Sequence, residues 1–513
     1  MLRTSPLVLT LALTVGCMAD YYLGDDSVSG ADNGDSADPG SEDEGDTQPP
    51  EQENDFLRLR PAATESYIFV VNSARNTVSR IAVPELDVRT VEVGVNPKVV
   101  IATPDNERAV VFNEGTDDVT IIDADTMETS TIAVREHFNA MVMSPDGVWV
   151  ACYRDPDEES DESGQGGAQS FNEVSLVNTI TGEHFLKVVG YNPRQVKFTD
   201  DSSLALVVSD EYLAVIDLLQ ANPPVRMIQV AEDLLDPPPA EEVEVSPTGT
   251  FAFVRQFGED NIVIVDLASD LVDRVPVGLN PTDLDLSPDG LTAVVVSRGS
   301  NELYVFDAAD PTVVPTVVTL PETELLGSIQ FSPDNTKAVL YTTAADINHY
   351  TTWDIATDTF TVRSLQKPVA GVNISPDGGT LLVFHEKLRD APDTPTDNPF
   401  YRHDALTLIS LDDFRQNTLL LAAEPTAWAN STDGAWGFFV MEGEPYLEVL
   451  DYAELHHDEI GLRSDPVHVG VLPGTTYAFV NQEHDLGRLS FYDPTTDALE
   501  TITGFELNSG IEH

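Results

Sequence analysis

The amino-acid sequence predicts an all-β protein, a β-propeller of four-stranded antiparallel blades built from about ten sequence repeats. Three observations predict it: a short turn phrase recurs along the chain, strand-like apolar runs flank each copy, and matching positions in different copies have a constant separation. Four strands in a repeat of roughly 40 to 50 residues are typical of a propeller blade.

The turn phrase is Ser-Pro-Asp-Gly or a close variant, as at residues 144–147, 287–290, 332–335 and 375–378. Proline fixes φ at the first corner, Asp or Asn bonds its own backbone, and Gly accepts a positive φ, so the phrase predicts a tight reversal. A residue that recurs around a scaffold usually supports the scaffold. We therefore interpret these Asp residues as structural rather than catalytic.

The strand-like runs follow the turns in a fixed order. Each copy has an apolar strand before the turn, a second strand after it, a third that ends in Asp, and a fourth that leads into the next copy. Eighteen residues separate the turn Asp from the strand-ending Asp in three distant copies: Asp105 and Asp123, Asp289 and Asp307, and Asp433 and Asp451. The constant separation indicates one repeated unit.

Ten copies are present, which exceeds the usual number of blades in one ring. They are centred near Pro61 (degenerate), Thr103, Ser144, Thr199, Ser246, Ser287, Ser332, Ser375, Ser431 and Leu472. Two domains of five blades are the alternative. We predict a single ring because no linker interrupts the series. To close it, either residues 56–59 supply the innermost strand of blade one, which we favour, or residues 510–513 pair beside residues 67–71.

Residues 1–17 have the pattern of an export signal: a basic start at Arg3, an apolar run over residues 6–15, and a small residue before Cys17. The run is shorter than the roughly 20 apolar residues of a spanning helix. Residues 13–17 resemble the lipobox of bacterial lipoproteins, although Thr14 stands where that motif usually has Leu. The resemblance implies a lipid anchor on Cys17; the alternative is an ordinary secreted protein.

Residues 18–55 are rich in Gly, Ser, Pro and acids and contain neither Lys nor Arg, so they cannot bury enough apolar surface to fold. We expect an acidic, disordered tether that carries a propeller over residues 56–513. With Cys17 lipidated, Cys152 has no disulfide partner, and its apolar surroundings predict a buried free thiol. We expect an exported protein of the bacterial cell envelope, in the periplasm or at the outer membrane or cell surface.

The chain is strongly acidic, with a formal net charge of −62 at pH 7. Such a surface repels phosphate backbones and anionic lipids, which argues against nucleic-acid binding and leaves a lipid anchor as the only membrane attachment. The acids are scattered rather than grouped. We interpret them mainly as a carboxylate shell that keeps the protein soluble, and the alternative is a surface that attracts cations or basic partners.

A family resemblance rests on residues 67–72, Tyr-Ile-Phe-Val-Val-Asn, followed by Asn-Thr-Val-Ser at residues 76–79. Together with the connector at residues 93–97 and its echo at residues 277–281, they resemble YVTN-type, WD40-like propeller repeats. The resemblance implies the fold. The group includes lactonase-like enzymes, haem d1 domains, surface-layer proteins and envelope proteins, so it implies no single function.

Motifs for catalysis and metal binding are weak. The chain has no Cys-x-x-Cys-His haem attachment, phosphate-binding glycine loop or Gly-x-Ser-x-Gly elbow. The densest polar group is at residues 456–459, His-His-Asp-Glu, with His468 and His484 in the next blade. Adjacent histidines on a strand point to opposite faces, so we predict no metal site there. The acidic residues 155–159 could bind calcium loosely, without the ligand order of an EF-hand.

Two inserts lengthen the repeats, at residues 155–169 and 386–404, and both fall between the second and third strands of their blades. They should project from the same face. The second contains Phe400, Tyr401, Arg402 and His403, an aromatic and cationic composition that suits a recognition patch. The alternative is that the aromatic rings cover the blade beneath them.

The sequence therefore predicts a non-enzymatic, envelope-anchored propeller lipoprotein that binds or scaffolds a protein or small ligand on its insert-bearing face. Beyond loosely bound calcium, it predicts no cofactor. The alternative is a propeller enzyme, hydrolase- or lactonase-like or redox, with a metal or haem in the central channel.

Overall fold

The computed structural model of the protein describes residues 62–504, except residues 65, 74, 84, 156–170, 236, 322–325, 393 and 442. Over this range it contains 39 β-strands, numbered β1 to β39 in chain order, and one short 3-10 turn at Arg298–Ser300. The strands form ten antiparallel sheets, one per predicted repeat. The predicted lipid anchor at Cys17 and the tether at residues 18–55 lie outside the described residues.

The first strands of neighbouring blades contact one another and form the inner wall of the ring. In blades two to ten they are β4 (Pro97–Ala102), β8 (Ala140–Met143), β12 (Gln195–Phe198), β16 (Ala240–Val245), β20 (Pro281–Leu286), β24 (Ser328–Phe331), β28 (Gly371–Ile374), β32 (Pro425–Asn430) and β36 (Pro466–Val471).

The second strands of blades one to ten are largely buried. They are β1 (Tyr67–Asn72), β5 (Arg108–Asn113), β9 (Trp149–Tyr153), β13 (Leu204–Val208), β17 (Phe251–Gln256), β21 (Thr292–Ser297), β25 (Lys337–Tyr341), β29 (Thr380–His385), β33 (Trp436–Met441) and β37 (Ala478–Gln482).

The third strands pair with the second strands, and in most blades they end in Asp as predicted. They are β2 (Thr77–Ala82), β6 (Asp118–Asp123), β10 (Glu173–Asn178), β14 (Tyr212–Asp217), β18 (Asn261–Asp266), β22 (Glu302–Asp307), β26 (His349–Asp354), β30 (Ala405–Ser410), β34 (Tyr446–Asp451) and β38 (Arg488–Asp493).

The fourth strands form the outer rim and alternate between exposed and partly buried residues. They are β3 (Val88–Glu92), β7 (Thr129–Ala133), β11 (His184–Val188), β15 (Val225–Gln229), β19 (Leu271–Pro276), β23 (Thr316–Thr319), β27 (Thr359–Ser364), β31 (Gln416–Leu420), β35 (His456–Gly461) and β39 (Ala498–Thr503).

Antiparallel pairing divides the connections between two faces of the ring. We call "turn face" the side with the turns between first and second strands, as at residues 144–147, and between third and fourth strands. We call "insert face" the side with the loops between second and third strands and the connectors between blades. The insert at residues 386–404 joins β29 to β30 and lies on the insert face. The insert at residues 155–169 falls between β9 and β10, whose ends meet the same face, but it lies almost entirely outside the described residues.

The turn phrase is held by its own side chains. In blade six the Ser287 hydroxyl donates to Asp289 Oδ1 at 2.7 Å and accepts the Thr292 amide at 3.0 Å, while Leu291 N donates to Asp289 Oδ1 at 3.0 Å. Gly290 has φ +65°, which Gly adopts without a steric cost. The same bonds occur at Ser144, Ser375 and Ser431, which confirms the structural interpretation of the turn Asp.

The hydrophobic core lies between the blades, as ten clusters that are each shared by two neighbours. The cluster between the last and the first blade joins Ile68 and Ile81 of blade one to Leu472, Phe479 and Ile502 of blade ten. Because each buried side chain of this size contributes about 1.5–3 kcal/mol, this contact is a stable closure. The single ring is confirmed, and the alternative of two five-blade domains is wrong.

Blade one has three regular strands, and a segment on the amino-terminal side of β1 takes the place of its first strand. Ala63 forms a β-bridge with Ile68, and Phe69 N donates to Ala62 O at 2.9 Å. This agrees with closure from the amino-terminal side, although residues 56–59 themselves and residues 510–513 lie outside the described range. Among the described residues, no helix has the length and apolar character needed to cross a membrane.

Candidate functional site

The second insert is fastened to the ring by a buried lysine. Lys367, in the connector between blades seven and eight, is fully buried, and its Nζ donates to Asp390 Oδ1 at 2.7 Å and to Phe400 O at 3.2 Å. The other carboxylate oxygen of Asp390 accepts the Arg402 amide at 3.1 Å. One ion pair therefore joins both arms of the insert. Removing one partner of such a pair typically costs about 3–5 kcal/mol.

Arg389 fixes the insert to the neighbouring blade. Its guanidinium donates to Asp346 Oδ1 at 2.9 Å and to the carbonyl oxygens of Val369 and Ala345 at 2.9 and 3.0 Å. Asp346 and Ala345 belong to the loop between β25 and β26 of blade seven. The insert thus lies across two blades and is held by charge-assisted bonds, which are stronger than neutral ones.

The four residues of the predicted recognition patch differ in their exposure. Phe400 and Tyr401 are half-buried, whereas Arg402 and His403 are exposed, and the Arg402 guanidinium lies 5.6 Å from the Tyr401 ring centre. Backbone bonds from Tyr401 N to Asn398 O and from His403 N to Phe400 O, at 3.0 and 3.1 Å, fold this segment into consecutive turns. The patch remains a prediction, with one covered side and one side open to a partner.

A small cavity of about 20 Å³ lies at the base of the insert, where blades eight and nine meet. Its lining includes three carboxylates, those of Glu386, Asp404 and Glu424, and the imidazole of His385. Burial, and then the negative charges of Glu386 and Asp404, raise the pKa of Glu424. Like charges converge at this base and disfavour ionisation of Glu424.

His385 in that lining is a buried, neutral structural group. Its Nδ1 donates to Pro368 O at 2.7 Å, and its Nε2 lies 2.7 Å from the Thr407 hydroxyl, which can donate to it. Burial is the main cause that lowers the pKa of His385 to about 4; the charge of Lys367 lowers it further and the bond to Pro368 opposes both. An imidazole held this way braces the insert and is poorly placed to ligate a metal.

A second carboxylate group lies on the inner strands and was missed by the sequence reasoning. Oxygens of Glu242 and Glu244 on β16 and of Asp285 on β20 lie within 4.8 Å of one another. Lys197 contacts Glu244, and Arg255 Nε donates to Glu242 at 3.0 Å, so protein cations already balance part of this charge. The signal was present as acid-Val-acid and acid-Leu-acid triplets at matching positions of adjacent first strands.

The histidines singled out by sequence do not converge. His456 and His457 occupy β35, the outer strand of blade nine, and His457 Nδ1 lies 3.1 Å from Glu448 Oε2, a contact that is the main cause raising the pKa of His457. His468 belongs to β36, the inner strand of blade ten, and His484 lies in the loop between β37 and β38 of that blade. The calcium prediction for residues 155–159 falls almost entirely outside the described residues.

Cys152 is fully buried on β9, and burial raises the pKa of its thiol to about 12. The prediction of a buried free thiol is confirmed, since the thiolate needed for nucleophilic chemistry is strongly disfavoured there.

No family model and no curated protein matches the chain. Among solved structures, it is similar to a dihydro-heme d1 dehydrogenase NirN in complex with DHE, with 15% identity, TM-score 0.46, and coverage of 90% of this chain and 84% of that one. The hydrazine synthase of Kuenenia stuttgartiensis matches with 17% identity, TM-score 0.30, and coverage of 61% and 97%.

A eukaryotic initiation factor structure matches with 12% identity, TM-score 0.50, and coverage of 78% of this chain and 95% of that one. At this identity the similarity concerns the fold alone. The ten antiparallel sheets define a ten-bladed β-propeller, and no activity follows from that fold.

Proposed function

We propose that this chain is a non-enzymatic binding or scaffolding propeller with YVTN/WD40-like repeats, anchored to the bacterial cell envelope through lipid on Cys17 and the acidic tether of residues 18–55. Its partner docks on the insert face. The observation that carries the proposal is the fully buried Lys367, which holds an exposed surface segment in one shape. A preorganised surface loses less entropy when a partner binds.

The partner's chemistry is inferred from the exposed side of the insert. Arg402 and His403 offer cationic or hydrogen-bonding groups, Tyr401 offers part of its ring, and Leu388 is 82% exposed. A partner surface that pairs a carboxylate with an aliphatic or aromatic side chain complements this patch. The acidity of the remaining surface then disfavours other anionic molecules and contributes to specificity.

The test is capture of partners from detergent-solubilised envelope by the full-length protein. The double variant Arg402→Ala/His403→Ala should release a partner that wild type retains. The matched control is Arg415→Ala, because Arg415 is similarly exposed but lies on the turn face, where it pairs with Asp413. Identical partner sets for all three proteins would contradict docking on the insert face.

Envelope anchoring is tested separately. Mass spectrometry should find lipid on Cys17 at the mature amino terminus, and Cys17→Ala should move the protein out of the membrane fraction. An unmodified terminus at another residue would exclude the anchor and leave the docking proposal intact.

The alternative function is an enzyme, hydrolase- or lactonase-like or redox, with a metal or haem held in the central channel. The carboxylates of Glu242, Glu244 and Asp285 on the inner strands favour a metal over haem, since they are hard oxygen ligands. Metal analysis and an absorption spectrum of the purified protein discriminate the two functions. Stoichiometric metal that is lost in Asp285→Asn would support the enzyme.

A further inference from the structure

The turn of blade ten departs from the turn phrase of the other blades. At the third position, where most copies have Asp, it has Gly474, and the positive φ of +75° falls on this residue. In blade nine the third position is Asp433, and the positive φ of +70° falls one residue later, on Gly434. Blade five also lacks Asp at the third position but keeps its positive φ on Gly249, so the different backbone path of blade ten follows from the earlier position of its Gly.

The turns of blades nine and ten border a shallow groove on the turn face that is largely open to solvent. It is lined by Thr432, Asp433, Gly474, Thr475, Thr476 and Tyr477. At other junctions the turns pack side by side, as Gly290 does against Pro247, whereas the turns of blades nine and ten meet through the hydrogen bond from Gly474 N to Thr432 Oγ1. A Cβ added at Gly474 would meet no atom within 4 Å.

The polar groups of the groove are held in place and keep unused hydrogen-bonding capacity. Asp433 Oδ1 accepts the Ser431 hydroxyl at 2.6 Å and the Ala435 amide at 3.1 Å, so Oδ2 is available to a ligand donor. Thr432 Oγ1 accepts the Gly474 amide at 3.1 Å, and its own O–H can still donate. A neighbouring acceptor and donor of this kind match a pair of adjacent hydroxyl groups.

An aromatic ring completes the groove. Tyr477 is 43% exposed, its amide donates to Thr475 Oγ1 at 3.1 Å, and its phenol interacts with the Asp493 carboxylate. The interaction with Asp493 holds the phenol end of the ring. An exposed, oriented aromatic ring next to a carboxylate and a hydroxyl offers an apolar surface and polar partners side by side.

We propose that this groove binds a neutral pyranose sugar unit, whose C–H face packs on Tyr477 and whose hydroxyl groups bond Asp433 and Thr432. The negative charges of Asp433 and Asp493 exclude acidic sugars. This site is independent of the proposed function, because it lies on the turn face, and its failure would leave docking on the insert face untouched.

Saturation-transfer NMR with the full-length protein tests the proposal, with cellobiose as the neutral probe and a galacturonic acid disaccharide as the acidic one. We expect transfer to cellobiose and little transfer to the acidic disaccharide. Tyr477→Ala should weaken cellobiose binding about tenfold, since it removes the stacking surface. Tyr446→Ala, a similarly exposed tyrosine on the insert face, should change nothing.

A second variant separates binding from folding. Asp433→Asn keeps the Oδ1 acceptor that closes the turn and loses the second carboxylate oxygen, so it should fold normally and bind cellobiose more weakly. Its matched control is Asp146→Asn, at the same turn position in blade three, where the Asp146 amide bonds Ser202 of the next blade. Absence of transfer to cellobiose in wild type, or equal transfer in Tyr477→Ala and Tyr446→Ala, would overturn the proposal.

Discussion

The two faces of the ring are built in different ways. On the turn face, each reversal between first and second strands is closed within five residues by a repeated Ser-Asp arrangement, as at Ser287. On the insert face, the segment at residues 386–404 is held by contacts across 23 and 43 positions of the chain, from Asp390 to Lys367 and from Arg389 to Asp346. Regular repetition gives the scaffold, and the distinctive chemistry lies where the repetition is interrupted.

The electrostatics of the two faces differ in the same way. The pKa of the turn carboxylate Asp289 is lowered, first by the Ser287 hydroxyl and then by the Leu291 amide. At the base of the insert, the pKa of Glu424 is raised by burial and by neighbouring carboxylates. The turn face therefore stabilises its negative charges, and the insert base concentrates charges that repel one another.

The largest expected effect is that of Lys367→Met, because it leaves the largely covered carboxylate of Asp390 without its cation. We expect a loss of about 3–5 kcal/mol of local stability, seen as a lower thermal midpoint and as faster proteolysis within residues 386–404. The double variant Lys367→Met/Asp390→Leu should recover part of the loss.

The matched control for this variant is Lys337→Met on the turn face, where Lys337 is only partly buried. It should change stability by no more than about 0.5 kcal/mol. Equal costs for the two lysines would remove the distinction between the faces.

The next effect in size concerns the repeated turn. Ser287→Ala deletes a donor to Asp289 and leaves the Thr292 amide without its side-chain acceptor, at a cost of about 1–2 kcal/mol. Ser431→Ala should cost a similar amount in denaturant titrations, since its bonds are the same. The two costs should add in the double variant because the sites are distant. Clearly unequal costs would show that the copies are not equivalent.

The smallest effect is a pair of opposite pH dependences. Because the pKa of Glu424 is raised on folding, its contribution to stability falls as the pH rises above the ordinary carboxyl range. Glu424→Gln should therefore raise the free energy of unfolding near pH 7, by less than about 1 kcal/mol because the group is partly exposed, and should make no difference near pH 4. The gain should appear as a higher thermal midpoint at pH 7.

Asp289→Asn should have the opposite sign. The pKa of Asp289 is lowered on folding, so its stabilisation is present near neutral pH and is lost as the pH falls through the folded value. The variant should lower the midpoint near neutral pH, and the deficit should shrink as the solution becomes acidic. If both variants shifted the thermal midpoint near neutral pH in the same direction, the electrostatic contrast between the faces would be contradicted.

Much of the fold was predictable because its signals are local. The turn phrase, the strand-ending Asp and the alternating runs each act within a few residues, and they gave the blade number, the strand order and the position of both inserts. The insert composition also pointed to residues 400–403. Lys367, Glu424 and the carboxylates of Glu242 and Asp285 were missed, since their partners come from other elements or other blades.

By itself the sequence determined the ten blades, the structural role of the turn Asp, and the buried thiol of Cys152, because short-range sterics, hydrogen bonding and apolar content act wherever the segment lies. Only the tertiary structure decided that one ring closes through Ile68 and Phe479, that Lys367 fastens the insert, and that a groove opens beside Tyr477. These features depend on which distant segments meet, and that is fixed by packing the blades around a common axis.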